Sequence, residues 1–268
     1  MIRFQPKDMG NTADISSAHG TAMRELVKLI VMVCCLAAGV YVAVGLTVDA
    51  VVSRLPADTE KKLFNGLGYA QEKAAGKDKG DLAELDAILR KLTAHEQVPQ
   101  LDYRLFIIDN PTPNALAMPG GGIGVTQGLL DKLTHEEIAR AFVLGHELGH
   151  FKHRDHLRGM GRALGLQICY ALIFGHSEVG GIVGSGTFNL ANRKYSRSQE
   201  AKADRFGLLL VYKTYGRTQG ADKLFRILEK QDKTPGWAYM FATHPAHGNR
   251  ISALKQYARE LSEQPNEK

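Results

Sequence analysis

The sequence predicts an α+β protein, mostly helical with one small sheet, behind a single N-terminal transmembrane helix. Three observations carry this. Leu29 to Val48 holds no charged residue. Much of the chain beyond it places apolar residues at helical spacing. Between Tyr103 and Thr126 lie three short pieces with strand character, separated by turn residues.

The uncharged run, bounded by Lys28 and Asp49, is twenty residues long, enough to cross a bilayer core of about 30 Å as a helix. A buried soluble helix of that length would show a polar face. The run exceeds a usual signal-peptide core and no small-x-small cleavage site follows it, so the expectation is an uncleaved anchor. Arg24 and Lys28 precede the run; Arg54 and Asp49 follow it. The positive-inside rule then points to a cytoplasmic N-terminus and an exported main domain, against the contribution of Lys61 and Lys62. For a bacterial chain this means the inner membrane, with the domain on the periplasmic side. The expected divisions are a tail over 1–24, the anchor over 25–50, the main domain over 58–258 and a polar tail over 259–268.

Bulk composition narrows the partners. The formal charge is +6 over 268 residues and no Lys/Arg-rich block occurs, so nucleic acid is not expected. Three cysteines, two of them inside the apolar run, form no disulfide framework. Eight of the ten histidines lie at or after His135, which points to metal or acid/base chemistry in the second half.

The elements follow in order. Residues 1–20 show no periodic pattern. Thr59 to about Ala75 reads as an amphipathic helix, Gly76 to Gly80 as a turn, and Asp81 to about His95 as a second helix with Leu82, Leu85, Ile88, Leu89 and Leu92 on one face. Tyr103–Ile108 reads as a buried strand, and Ala115–Met118 and Ile123–Thr126 as extended pieces around Pro119 and three glycines. Thr134 to about His153 is the strongest helix, with Thr134 and Glu137 as an expected capping box. Leu164–Phe174 is apolar but too short to span a membrane. Asn189 to about Tyr215 is a long helix ended by Gly216, followed by helices over Thr218–Lys230 and Pro245–Leu261.

The chemistry centres on His146-Glu147-Leu148-Gly149-His150. Residues four apart on a helix share one face, so two imidazoles can bind one zinc, and Glu147 can reach a water held by the metal. The bare pattern arises by chance in roughly 2% of such chains. Its helix, however, is lined with Ile138, Ala139, Ala141, Phe142, Val143 and Leu144, and buried polar groups need partners. The plain alternative is a histidine-rich surface helix running on to His153 and His156. A catalytic zinc needs a third protein ligand. Glu200, with Asp204 one turn later, is the candidate; the plain alternative is a solvated acidic pair beside Lys202 and Arg205.

Four stretches, Asn114-Ala115-Leu116-Ala117-Met118-Pro119-Gly120-Gly121, His146–His150, Glu200-x-x-x-Asp204, and His244-Pro245 followed by Arg250-Ile251, occur in the order found in one family. The chain resembles the zinc metallopeptidases of the HtpX, type I CAAX prenyl protease and mitochondrial Oma type. The resemblance covers about residues 100–255. It implies a zincin-like (gluzincin) fold with a small sheet over the active-site helix, and one Zn2+ held by His146, His150 and Glu200, with Glu147 as general base. Asp204 would hold a ligand histidine from behind. Asn114, Ala115, Leu116 and Ala117 would form an edge strand on which a substrate pairs. His244 and Arg250 would face the zinc and stabilise the developing oxyanion, and His244 could also cap the zinc in a closed state. The chain departs from members with several spans. The segment holding Gln167, His176 and Glu178, broken by Gly180, Gly181, Gly184 and Gly186, reads as a mobile hairpin or lid over the cleft. His153, His156, His176 and His247 read as surface or supporting residues.

The expected function is a membrane-anchored zinc endopeptidase acting on misfolded or mislocalised proteins. A chaperone-like holdase using the same groove, and a zinc-bound structural adaptor, are the other readings; the intact Glu147 argues against the adaptor.

Overall fold

The structure, a computed structural model, describes residues 15–56, 58–64, 79–175, 195–221, 223, 244 and 248–263. The chain divides into two units, Met1–Thr47 and Val48–Lys268. In the first, helix α1 (Ile15–Arg54) begins. Its uncharged stretch is long and apolar enough to cross a membrane, and its side chains are exposed. The helix starts at Ile15, inside the stretch expected to be an irregular tail; residues 1–14 lie outside the described residues.

In the second unit, α1 ends at Arg54 and a helical stretch over residues 58–64 (α2) follows. The remainder of the helix expected to Ala75 lies outside the described residues. Helix α3 (Lys79–Thr93) takes in Lys79 and Gly80, where the sequence predicts a turn. It buries Leu85, Ile88, Leu89 and Leu92, the apolar side of its period.

Strands β1 (Arg104–Ile108), β2 (Ala115–Met118) and β3 (Gly122–Thr126) form a sheet of order β1-β3-β2. β3 pairs in parallel with β1 and antiparallel with β2. The β2–β3 reversal passes through Gly120 (φ 81°) and Gly121 (φ 91°), a conformation that suits glycine. β3 is buried throughout and β2 lies at the sheet edge.

Short helix α4 (Gln127–Lys132) leads to α5 (Glu137–His153). The capping box expected at Thr134 does not form. Thr134 sits at the end of α4 and its hydroxyl donates back to Leu130 O and Asp131 O, while Glu136 is the N-cap of α5. α5 is buried from Ile138 to Phe151, so the surface-helix alternative fails.

α5 ends at Arg154, in the left-handed conformation (φ 55°). The chain re-enters a helix at once, α6 (Asp155–Phe174). Helix α7 (Arg197–Tyr215) starts later than expected. Ser196 and Gln199 form its capping box, which fixes the entry; residues 189–194 lie outside the described residues. Near Thr218, where a helix is expected, Gly220 (φ 105°) sits in a turn and Lys223 is helical; residues 222 and 224–230 lie outside the described residues. Helix α8 (Gly248–Glu263) covers the described part of the helix expected over Pro245–Leu261 and buries Leu261 in the core. His176, Glu178, the glycines of the expected lid, and His247 lie outside the described residues.

α5 and α7 meet backbone to backbone. A Cβ on Gly149 would stand 2.7 Å from Ala203 Cα, and one on Gly207 would stand 2.7 Å from His146 N. Glycine at these positions lets the α5 histidines and the α7 acids share one small volume.

Candidate metal centre

His146 and His150 lie one helical turn apart on α5, and their Nε2 atoms are 3.2 Å apart. That convergence follows from what holds each ring behind. His146 Nδ1 donates to Asp204 Oδ1 (2.8 Å), and His150 Nδ1 donates to Asp155 Oδ2 (2.9 Å). With both Nδ1 atoms donating to carboxylates, both Nε2 atoms face the same point, the arrangement that orients metal-binding histidines. Asp155 reaches back only because left-handed Arg154 turns the chain sharply between α5 and α6. Gln199 donates to the other Asp155 oxygen (2.7 Å), and the Tyr195 ring stacks on His150 at a centroid distance of 3.9 Å.

Glu200, on the first turn of α7, presents its carboxylate to the same point. Oε1 is 3.5 Å from His150 Nε2 and Oε2 is 3.6 Å from His146 Nε2. His244 closes the other side, its Nδ1 2.9 Å from Glu200 Oε1 and 3.2 Å from His146 Nε2. One ligand atom from each of His146, His150, Glu200 and His244 lies within 4.8 Å of the others, and all four residues are buried. The structure therefore brings together the three residues expected to bind metal and adds His244 in direct contact. Glu147 lies at the rim, Oε1 3.9 Å from His244 Nε2, and its Oε2 is buried without a hydrogen-bond partner.

Arg250 was expected to face the metal. Its guanidinium instead grips the acidic pair: Nη2 donates to Asp204 Oδ1 (2.7 Å), Nε donates to Asp204 Oδ2, and Nη1 stands 2.7 Å from Glu200 Oε2. It also donates to the His244 carbonyl (3.4 Å), so one cation positions Glu200 and His244 of the cluster and the acid behind His146.

The charges follow. Burial opposes ionisation of Asp204, but Arg250 and the His146 hydrogen bond outweigh it and hold the carboxyl low. Glu200 is held well below the usual carboxylate range against the same burial, by His244, His150 and His146. Burial dominates at His146 and pushes its ring down, favouring the neutral form that can coordinate. At His150 burial is overcome by hydrogen bonds to Asp155 and Glu200 and by the charge of Glu147, and its ring is raised to about 9.

The donor set fits zinc: two imidazoles with open Nε2 atoms, one ionised carboxylate, and an orphaned glutamate oxygen beside them. Asn114 lies just before β2, its main chain pinned to Thr126 by N–H to Oγ1 (2.7 Å) and by its carbonyl accepting from Thr126 N (3.0 Å). Ala115–Ala117 lie in β2, with Leu116 the less buried of the three. β2 faces α5. His156 is not at the surface. It is fully buried, and its Nε2 pairs with Glu60 Oε1 at 2.8 Å. Asp155 and Tyr195 were missed in the sequence; the only trace of Asp155 was an acid five residues after His150.

Comparison with known proteins identifies the family. The profile of peptidase family M48 matches residues 81–258. Human mitochondrial metalloendopeptidase OMA1 is 30% identical, over 66% of this chain and 37% of its own length. The mitochondrial metalloendopeptidase OMA1 of Schizosaccharomyces pombe is 27% identical, over 65% of this chain and 52% of its own. The chain thus spans between about a third and a half of the length of these relatives. The family match runs across the helices and the sheet that build the cluster, and the chain belongs to peptidase family M48.

Proposed function

We propose that the chain is a membrane-anchored zinc endopeptidase that cuts misfolded or mislocalised proteins. The observation that carries this reading is the convergence of His146 Nε2, His150 Nε2 and the Glu200 carboxylate beside the orphaned Glu147 Oε2.

Zinc held by His146, His150 and Glu200 would act as a Lewis acid, polarising the scissile carbonyl and acidifying the attacking water. Glu147 takes the proton of that water and passes it to the leaving amine. Asp204 and Asp155 fix the two imidazoles from behind, and Arg250 keeps Asp204 and Glu200 ionised and in place. His244, 3.9 Å from Glu147, is the residue assigned to stabilise the developing oxyanion. In the arrangement described it also contacts Glu200 and His146, which supports a resting role as a cap over the metal. β2, at the sheet edge and against α5, offers main-chain groups to an extended substrate, with little demand on its sequence. The anchor and the charges around it favour a bacterial inner-membrane protein with the domain on the periplasmic side.

The test is zinc content together with casein cleavage, in wild type and Glu147→Gln. The roles assigned require zinc in both and a loss of about 10²–10⁴-fold in cleavage for the variant. A variant that still cleaves would remove Glu147 from the mechanism.

A further inference from the structure

Arg154 holds a conformation that its residue type does not favour. It stands between α5 and α6 with φ 55° and ψ 31°, in the left-handed region, where a Cβ crowds the backbone. Both helices close on it. Its N–H donates to Phe151 O (3.0 Å), and its carbonyl accepts from Arg158 N (3.0 Å). The next residue, Asp155, is the acid behind His150. In an unbroken helix a residue five positions on lies about 140° round from the first, so its side chain points away. A relaxation of Arg154 to the right-handed region would run α5 on into α6 and take the Asp155 carboxylate off the His150 ring.

The Arg154 side chain opposes that relaxation. Its Nη1 donates to Val52 O (2.8 Å) and to Leu55 O. These carbonyls stand where α1 ends at Arg54, inside the second unit. Carbonyls at a helix C-terminus lack helical partners and attract a cation. The same stretch holds α6 at further points. Arg158 donates to Asp49 Oδ1 (2.8 Å), and Arg162 to both Asp49 oxygens (2.9 Å each). Positions 154, 158 and 162 are spaced by four and share one face. Glu60 meets His156 one turn into the helix. Residues 49–60 lie ahead of residues 81–258, which the family profile matches.

We propose that Arg154 is a positioning residue for the metal ligand His150. Its guanidinium, held on the Val52 and Leu55 carbonyls, keeps the left-handed turn that delivers Asp155 to the ring. This role rests on reading His146, His150 and Glu200 as the zinc site. The stretch ahead of the catalytic helices then sets the orientation of a zinc ligand, although it supplies no member of the cluster.

The test compares wild type, Arg154→Ala and Arg154→Gly as full chains. Zinc affinity is read by competition with a chelating dye, and stability by urea melts of the zinc-free protein. Both substitutions remove the same two hydrogen bonds, so both should lower stability. Only alanine keeps the Cβ that opposes the turn. Zinc affinity is expected to fall about 10-fold in Arg154→Ala and to return to within about 3-fold of wild type in Arg154→Gly. Arg154→Met keeps the Cβ and the stem without the charge; it should match alanine, and it serves if the alanine chain does not fold. Wild-type affinity in the alanine or methionine variant would overturn the proposal and leave Arg154 a residue that only docks residues 52–55. An equal loss in the glycine variant would overturn it too, since the turn would not be what the guanidinium protects. No zinc in wild type would remove the site itself, and this role with it.

Discussion

Two buried histidine–carboxylate groups lie on either side of Arg154, and their chemistry is the same until the second ring nitrogen is followed. Before Arg154, His146 and His150 each give Nδ1 to a carboxylate, and their Nε2 atoms converge on each other and on Glu200. After it, His156 uses Nε2 itself to meet Glu60, whose Oε1 also accepts from Gly120 N (3.3 Å). In the first group the carboxylates stand behind the rings and leave the coordinating atoms facing inward. In the second the carboxylate takes the Nε2 that would coordinate, and the pair ties α2 and the β2–β3 turn to α6. Burial of histidine and acid together is thus no sign of a metal site; which nitrogen the acid occupies decides it.

Substitutions of the acids sharpen this contrast. Asp155→Asn and Asp204→Asn should each weaken zinc binding about 10–100-fold, because each removes the group that orients a ligand ring. Competition with a chelating dye measures this, and Glu60→Gln in the same assay should leave affinity unchanged. Gly149→Ala acts through packing. Its new Cβ would press on the Ala203 backbone, so a destabilisation of about 1–3 kcal/mol in urea is expected, with weaker zinc binding as α7 is pushed away.

Glu60→Gln should in turn lower stability by about 1–3 kcal/mol at neutral pH, leaving His156 with a poorer partner. Its pH dependence gives the smallest effect. Burial opposes the Glu60 charge, but His156, Gly120 N–H and Arg154 hold its carboxyl below 4.5. A lowered folded value gives stability that is present above about 4.5 and is lost as pH falls through the folded value. The gap between wild type and Glu60→Gln, measured by urea melts in chelator, should therefore close on acidification below about 4.5.

The legible parts were those set by local spacing. The four-residue interval put His146 and His150 on one face, and apolar periodicity gave α3 and the core side of α5. The strand pieces 115–118 and 123–126 emerged because glycines and proline isolate them. What escaped depends on backbone reversals and on distance along the chain. Asp155 serves His150 only because Arg154 adopts a left-handed turn that sequence gave no reason to expect of an arginine. Thr134 looked like a cap until α4 claimed it, and Ser196–Gln199 carried the real box sixty residues later. Arg250 was read toward the metal because its partners, Asp204 and Glu200, meet it only once α7 and α8 pack. The pairing that makes His156 a supporting rather than a surface residue is invisible locally, because Glu60 is 96 residues away.

The most direct test of the central claim is zinc bound per chain in wild type, His150→Ala and His156→Ala, each purified with its full membrane segment. About one zinc is expected in wild type and in His156→Ala, and none in His150→Ala, as loss of one of three ligands requires. Zinc retained in His150→Ala, or lost in a folded His156→Ala, would contradict it.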